Sequence, residues 1–470
     1  MHTIEQIFIN GEFVTPHGTE RFDLYNPATA QVIGQVRLAD EVDAARAVAA
    51  AKAAFPAWSQ TTKQERIAAL KRMHAAVAAR HDELLEAVIE EYGAPASRSA
   101  WMASYPAEVI AQAIEALEAF EFVTPAGAAT VQMTPLGVAG LITPWNSDAG
   151  FICGKLAAAL AAGCTAVIKP SEMSALQTQI VTEALRDAAL PPGVFNIVTG
   201  RGETVGDTIS RHPDVAKISF TGSTHTGKAI LRNAAESFKR VTLELGGKSP
   251  TILLDDVDLA QAIPLVIQAG FMNSGQACVA GTRILVPYSR KAEIETALAQ
   301  AVAAVNSGDP RDKSTDVGPM VSAKQWQRVQ GYIRKGVEEG ARLLAGGEGR
   351  PEGTQDGWFV RPTLFADVNN QMTIARDEIF GPVLCVIPYR DEAEAIAIAN
   401  DTDYGLSAVV LGGADRARCV AQQIVSGRVL VNTLAHEPKA PFGGFKHSGV
   451  GREMGEWGIR AFMEPRSVLG

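Results

Sequence analysis

From residue 137 onward, short β-branched runs alternate with helix-forming stretches, and this alternation leaves few folds open. The strand-like "GVAGLITP" is followed by "GKLAAALAAG", whose alanines and leucines favour a helix that Gly163 stops. "CTAVIKP" is the next strand, closed by Pro170. A helix over 173–188, the strand "VFNIV", a short helix, the strand "AKISF", a helix after Ser223 and the strand "VTLEL" complete the series. Units of this spacing predict parallel strands joined by crossover helices, hence a doubly wound sheet covered on both faces.

A second α/β series begins near Gly247, with "TILL", a helix in 258–269, "TRILVPY", helices in 290–306 and 322–339, then "VLCVIPY", "LSAVVLG" and "RVLVN". A chain of 470 residues is expected to form about two or three domains. Two domains meeting near 245–250 would leave a cleft, the usual place for a ligand. Before the first series, "IFIN" and "EFVT" flank Asn10-Gly11, a strong hairpin signal. Three Ala-rich helices follow: one capped by Asp40, one opening with the capping box Thr62-x-x-Glu65, and one ending near Gly93.

Composition narrows the partners. A net charge of −9 without a Lys/Arg stripe argues against nucleic acid, so a small-molecule substrate is expected. The longest small-apolar run, "LAAALAAG", falls far short of the roughly 20 residues of a membrane span. The N-terminus has no basic stretch leading into an apolar one. Cys153, Cys164, Cys278, Cys385 and Cys419 are odd in number and scattered, as in a reducing compartment. A cytoplasmic protein is the expectation. The eight histidines are dispersed, and no metal site is expected.

Five fragments carry chemistry. "NSGQACVAG" sets Cys278 between the small residues Ala277 and Val279, where a substrate can reach sulfur. A short helix opened by Gly275-Gln276 is expected to lower its pKa through the helix dipole; the alternative is an inert buried thiol. "LELGGK" ends a strand on Glu244, a general-base candidate if desolvated and otherwise a surface carboxylate. "TPWNSD" offers the Asn146 amide as an oxyanion donor or as a plain turn residue. "IKPSE" and "TGSTHTG" each follow a strand, where α/β sheets bind nucleotides. In the first, Glu172 can hold ribose hydroxyls and would repel a 2′-phosphate, favouring NAD over NADP, with Lys169 beside it. In the second, Gly222-x-Thr224-x-x-Gly227 departs from a dinucleotide fingerprint at its middle position.

Together with "EIFGPV" (378–383), "YGLSA" (404–408) and "PFGGFKHSGVGRE" (441–453), the order and spacing of "PWN", "KPSE", "FTGSTHTG", "LELGGKSP" and "GQAC" resemble the NAD(P)-dependent aldehyde dehydrogenase superfamily over nearly the whole chain. The resemblance implies an α/β fold of two doubly wound domains, a Rossmann-like cofactor domain (1–119 and 138–246) and a catalytic domain (247–445). A small β-flap oligomerisation element (120–137, with the tail 446–470) implies a homodimer or homotetramer. It also implies that Cys278 attacks an aldehyde, that Asn146 and the Cys278 N–H hold the oxyanion, and that Glu244 activates the water that hydrolyses the thioester. Glu453 would assist proton transfer.

Cofactor contacts implied in the same way are Trp145, Lys169, Ser171, Glu172, Gly202, Gly206, Phe220, Ser223, Leu245, Glu378 and Phe380. The substrate pocket would be lined by Ser147, Asp148, Ala277, Val279 and Phe442. Ser147 and Asp148 stand where the commonest family pattern has an aromatic residue and proline. Asp148 is therefore expected to disfavour anionic semialdehydes, unless it points into a helix N-terminus. A hydrolase built on Cys278, Glu244 and either Lys248 or Lys169, without a redox cofactor, is the competing reading. A catalytically silent relative is a third, opposed by the intact Cys278, Glu244 and Asn146.

Overall fold

The computed structural model describes residues 1–354 and 356–470. Its centre is an eight-stranded sheet in the order Gly449–Val450, Arg240–Glu244, Val215–Thr221, Val138–Ile142, Thr165–Lys169, Phe195–Ile197, Ile7–Ile9, Glu12–Val14. The five strands from Arg240–Glu244 to Phe195–Ile197 are parallel, as the alternation predicts. The edges are antiparallel: Gly449–Val450 joins on one side and the N-terminal hairpin on the other. That hairpin turns at Asn10 (φ 55°) and Gly11 (φ 86°), the left-handed pair that an Asn-Gly turn supplies.

From the Val138–Ile142 strand the chain winds outward in both directions, through Thr165–Lys169 on one side and Val215–Thr221 on the other. Two neighbouring strands therefore send their following loops apart, which opens a crevice at their carboxyl ends. The loop 143–147 and the turn at Gly222-Ser223 border it.

A second, seven-stranded sheet has the order Arg342–Ala345, Thr363–Ala366, Val383–Tyr389, Arg283–Pro287, Pro250–Leu253, Ser407–Leu411, Arg428–Val431, parallel except for its first strand. A separate three-stranded sheet pairs Met463–Leu469 with Ala129–Pro135 and that strand with Val123–Ala126. Of the tail 446–470 expected to belong with the flap, Met463–Leu469 joins it, whereas Gly449–Val450 is an edge strand of the eight-stranded sheet. A fourth sheet holds His2–Ile4, Gln31–Arg37 and Arg21–Asn26.

The helix signals act where the sequence places them. Asp40 and Asp43 form a reciprocal capping box for Glu41–Ser59, and Thr62 and Glu65 do so for Lys63–Ala78. Gly163 ends Asp148–Ala162 at φ 93°, where a Cβ would lie 2.6 Å from the Arg66 guanidinium. The Asp148–Ala162 helix is almost wholly buried, with Ile152, Leu156 and Leu160 at zero exposure between the sheet and a 24-residue helix, Ala96–Ala119. That last helix is not anticipated by the sequence reading. It begins without a side-chain cap and carries Pro106 within it, so its usual signals are absent. Among the described residues, no helix is long and apolar enough to cross a membrane.

Candidate active site

The Cys278 loop is held open by its neighbours rather than by a helix. After the helix Leu259–Phe271, Asn273 (φ 54°), Ser274 (φ 58°) and Gly275 (φ 73°) turn left-handed in succession. Non-glycine residues take this conformation only when their surroundings enforce it. Asn273 Nδ2 donates to the Asn146 and Gln276 carbonyls, both at 3.2 Å. Ser274 Oγ accepts from Gly318 N at 2.9 Å. The buried Gln276 amide accepts from Val321 N at 3.0 Å and donates to the Pro319 carbonyl at 3.3 Å. A Cβ on Gly275 would meet the Gly381 carbonyl carbon at 2.2 Å, so only glycine fits there.

The expected helix N-terminus at Cys278 is absent. The one-turn segment Met272–Gly275 ends before the cysteine, which sits in a turn, half-buried like Ala277 and Val279. Its thiol is accordingly pushed up to about 12, first by burial and then by the charges of Glu378 and Glu244, against a smaller opposing effect of Arg428. It is not lowered.

Glu244 closes the Arg240–Glu244 strand, with Thr221 and Gly449 as its ladder partners. Both carboxylate oxygens are buried without a hydrogen-bond partner among the described residues. Burial, followed by Glu453, holds the carboxyl well above its ordinary range, while Lys155 and Arg452 pull it down. Gly247, three residues on, approaches the backbone of Cys278 so closely that a Cβ there would lie 2.4 Å from the Cys278 carbonyl oxygen. Asn146 Nδ2 donates to the Gln276 carbonyl at 3.0 Å, which fixes the amide beside the cysteine loop. Segments distant in sequence thus converge on the Cys278 loop.

Behind Glu244 lies a polar cluster centred on a residue that the sequence reading passed over. Lys155 Nζ donates to Glu453 Oε1 at 2.5 Å and to Ser219 Oγ at 2.9 Å, and Ser219 Oγ donates to the same Glu453 oxygen at 2.9 Å. The available signal was a lone lysine in the apolar run "GFICGKLAAALAA", where a charge must find partners.

The second group lies along the crevice. The Trp145 ring stands perpendicular to Phe380, centroids 5.4 Å apart, and its carbonyl accepts from Ser174 Oγ at 3.4 Å. Lys169 and Glu172 pair at 3.4 Å, and Arg201 approaches the other Glu172 oxygen at 3.4 Å while binding Glu20 at 2.7 Å. Ser171 caps the short turn Glu172–Ser174. Gly202 and Gly206 bound one helical turn, with open space where a Gly202 side chain would stand. Phe220 packs under Gly222, and Leu245 packs against Gly227. Ser223 caps the helix Thr224–Ala235 by accepting from Thr226 N at 3.2 Å, so the helix begins at the turn that borders the crevice. Glu378 Oε1 accepts from Gly247 N at 2.9 Å, and burial raises its carboxyl to about 7. Phe380 is held at φ 62°, its carbonyl accepting from Gln325 Nε2 at 2.8 Å.

The substrate-side expectations divide. Asp148 does not line a pocket: it is fully buried as the first residue of its helix and accepts from Thr143 Oγ1 at 2.6 Å and Thr178 Oγ1 at 2.8 Å. Burial raises it to about 7, and the selectivity role expected of it is withdrawn. Ser147 is half-buried with its hydroxyl unpartnered, and Phe442 is half-buried with the Arg428 guanidinium 5.8 Å from its ring.

Of the two lysines of the hydrolase reading, Lys169 has a hydrogen-bond partner and Lys248 Nζ is buried without one among the described residues. Lys248 Nζ is buried, lowered to about 8 by desolvation, and faces Cys385, Arg283, Glu378 and Asp377, while Lys169 is bonded to Glu172.

Comparison with known proteins gives a consistent result. Residues 13–468 match the family described as the aldehyde dehydrogenase family. A 3-succinoylsemialdehyde-pyridine dehydrogenase from a Pseudomonas species is 44% identical, covering 100% of this chain and 99% of that protein. Among solved structures, a cysteine-to-alanine mutant of aldehyde dehydrogenase C from Pseudomonas syringae, complexed with NAD+ and octanal, superposes with a TM-score of 0.98 at 44% identity, over 100% of this chain and 97% of the other. An aldehyde dehydrogenase of Mycobacterium tuberculosis complexed with NAD+ gives 0.96 at 41% identity, over 99% and 98%.

Proposed function

Since the chain belongs to the aldehyde dehydrogenase family, we propose that it oxidises an aldehyde to the carboxylic acid with NAD, through a covalent intermediate on Cys278. The observation that carries this reading is Glu244: a buried carboxylate with no partner, poised beside a half-buried cysteine. A structural carboxylate would be hydrogen-bonded.

The crevice suits a dinucleotide. Lys169 and Glu172 would offer a donor and an acceptor to ribose hydroxyls, the N-terminus of the Thr224–Ala235 helix would suit a pyrophosphate, and the Thr221 hydroxyl is buried without a partner among the described residues. When bound, the nicotinamide accepts the hydride lost by the substrate carbon. Glu172 disfavours a 2′-phosphate, and Arg201 offsets part of its charge, so Glu172→Ala is expected to narrow the preference for NAD over NADP about tenfold.

In the chemical cycle the Cys278 thiol passes its proton to the Glu244 carboxylate as sulfur adds to the aldehyde carbon, and Glu244 releases that proton before the hydrolytic step. The oxygen that becomes negative accepts from the second N–H of Asn146 and from the Cys278 backbone N–H. Collapse of this thiohemiacetal leaves a thioester. Glu244 then takes a proton from water, the hydroxide adds to the acyl carbon, and the thiolate departs. The Lys155–Ser219–Glu453 cluster sets how readily Glu244 ionises and gives its proton a route away.

The three-stranded flap ends in Val468 and Leu469, 40% and 75% exposed, and we assign it to a homo-oligomeric contact. A cytoplasmic site of action accords with the free cysteines. Incubation with NAD and a panel of aldehydes, followed by NADH absorbance, tests the activity. NADH formed with the parent and abolished in Cys278→Ala supports it; acid released without NADH refutes it.

A further inference from the structure

Two guanidinium groups, one acting on Cys278 and one next to Tyr105, have no ion-pair partner among the described residues. Arg428 opens the strand Arg428–Val431 directly after Gly427, whose Cβ would lie 1.6 Å from the Gly443 carbonyl oxygen. The strand is thereby pressed against the turn that carries Phe442, and a Gly443 Cβ would in turn lie 2.7 Å from Glu244 Oε1. Arg428 Nε donates to Ser407 Oγ at 3.3 Å, the guanidinium approaches the Phe442 ring, and no ion pair forms among the described residues. Its charge acts on the Cys278 sulfur, and burial weakens its own hold on the proton.

Arg98 is the second. Its guanidinium makes no hydrogen bond among the described residues, its Nε is sealed from solvent, and it lies 3.8 Å over the Trp101 ring. Trp101 stacks on Tyr105 at 4.3 Å. A Gly150 Cβ would lie 2.6 Å from the Tyr105 ring and 3.2 Å from Ser147 Oγ, next in sequence to Asn146. Glu453 and, more weakly, Glu108 act on Tyr105, and Glu437 acts on His436; among the described residues none of the three pairs with either arginine.

Arginine loses hydration when buried and normally recovers it from a carboxylate that fits its planar fork. Among the described residues neither arginine has such a group, and Asp148, the one acid expected on this side, is committed to Thr143 and Thr178. We propose that the aldehyde substrate itself carries a carboxylate, received by Arg428, with Arg98 adding to the positive potential along the approach. This rests on the reading that Cys278 attacks an aldehyde.

The test uses the full chain with NAD and compares succinic semialdehyde with butanal, its neutral counterpart of equal chain length. The expected kcat/KM favours the acid by about tenfold or more, carried mainly by KM, and the advantage shrinks as salt is raised. In Arg428→Gln the ratio of acid to neutral falls toward unity, and Arg428→Lys lies between. Should Arg428→Gln fail to fold, the parent's ratio and its salt dependence decide alone. Butanal oxidised as readily as the acid, or a ratio unchanged in a folded Arg428→Gln, overturns the carboxylate assignment while the oxidation stands. Absence of NADH with both aldehydes overturns the oxidation and the assignment with it.

Discussion

Replacing Glu244 by glutamine removes a base and keeps the shape. Neither carboxylate oxygen has a hydrogen bond to lose, so the substitution breaks no contact and its effect is chemical. A positioned general base contributes about 10²–10⁴ in rate, or roughly 3–5 kcal/mol of barrier. If hydrolysis of the acyl-enzyme depends on Glu244, the variant forms NADH in a rapid burst matching the active cysteines and then turns over about a thousandfold more slowly than the parent. Stopped-flow absorbance resolves the two phases. Because burial and Glu453 hold this carboxyl above its ordinary value of 4.5, the parent's deacylation rate rises with pH as the carboxylate forms. The Glu244→Gln rate is flat over that range. Lys155→Met, which removes the charge that pulls the carboxyl down, moves the rise to higher pH. Stability carries the same signature with its own sign. A group whose pKa is raised on folding contributes stability that is full below its unfolded value and lost as pH climbs through the folded one, so Glu244→Gln melts higher than its parent in alkaline buffer. A Glu244→Gln enzyme whose kcat stays within about tenfold of the parent, or keeps its pH rise, refutes the assignment.

Iodoacetamide should alkylate Cys278 slowly at neutral pH, because burial and the charges of Glu378 and Glu244 hold the thiol near 12; Glu378→Gln is expected to speed the labelling, and no acceleration would count against that electrostatic account. Asn146→Ala is expected to cost about 10²–10³ in kcat from the lost oxyanion donor, measured as steady-state NADH formation with folding checked by circular dichroism. Asp148→Ala strands the hydroxyls of Thr143 and Thr178 and is expected to cost about 3 kcal/mol in urea unfolding, without altering the ranking of aldehydes by kcat/KM.

Local chemistry wrote much of this protein openly. The Asn10-Gly11 turn, the capping box at Thr62 and Glu65 and the left-handed stop at Gly163 act through contacts within a few residues, so their signals survive outside the fold. The strand-helix alternation likewise exposes the two wound sheets, because each unit must bury an apolar face. The 24-residue helix after Pro95 was missed for the opposite reason: its packing, not its caps, holds it.

The sequence by itself determined which groups are present: a cysteine flanked by small residues, a glutamate ending a strand, an amide after a proline and tryptophan, and a Lys/Glu pair at a strand end. Tertiary structure alone decided their environments. It placed Cys278 in a turn just after a left-handed segment, among carboxylates instead of at a helix start, buried Asp148 against two threonines, and brought Lys155 to Glu453 across about 300 residues of chain. Desolvation and charge depend on neighbours in space, and these act over a few ångströms that the linear order of residues does not encode.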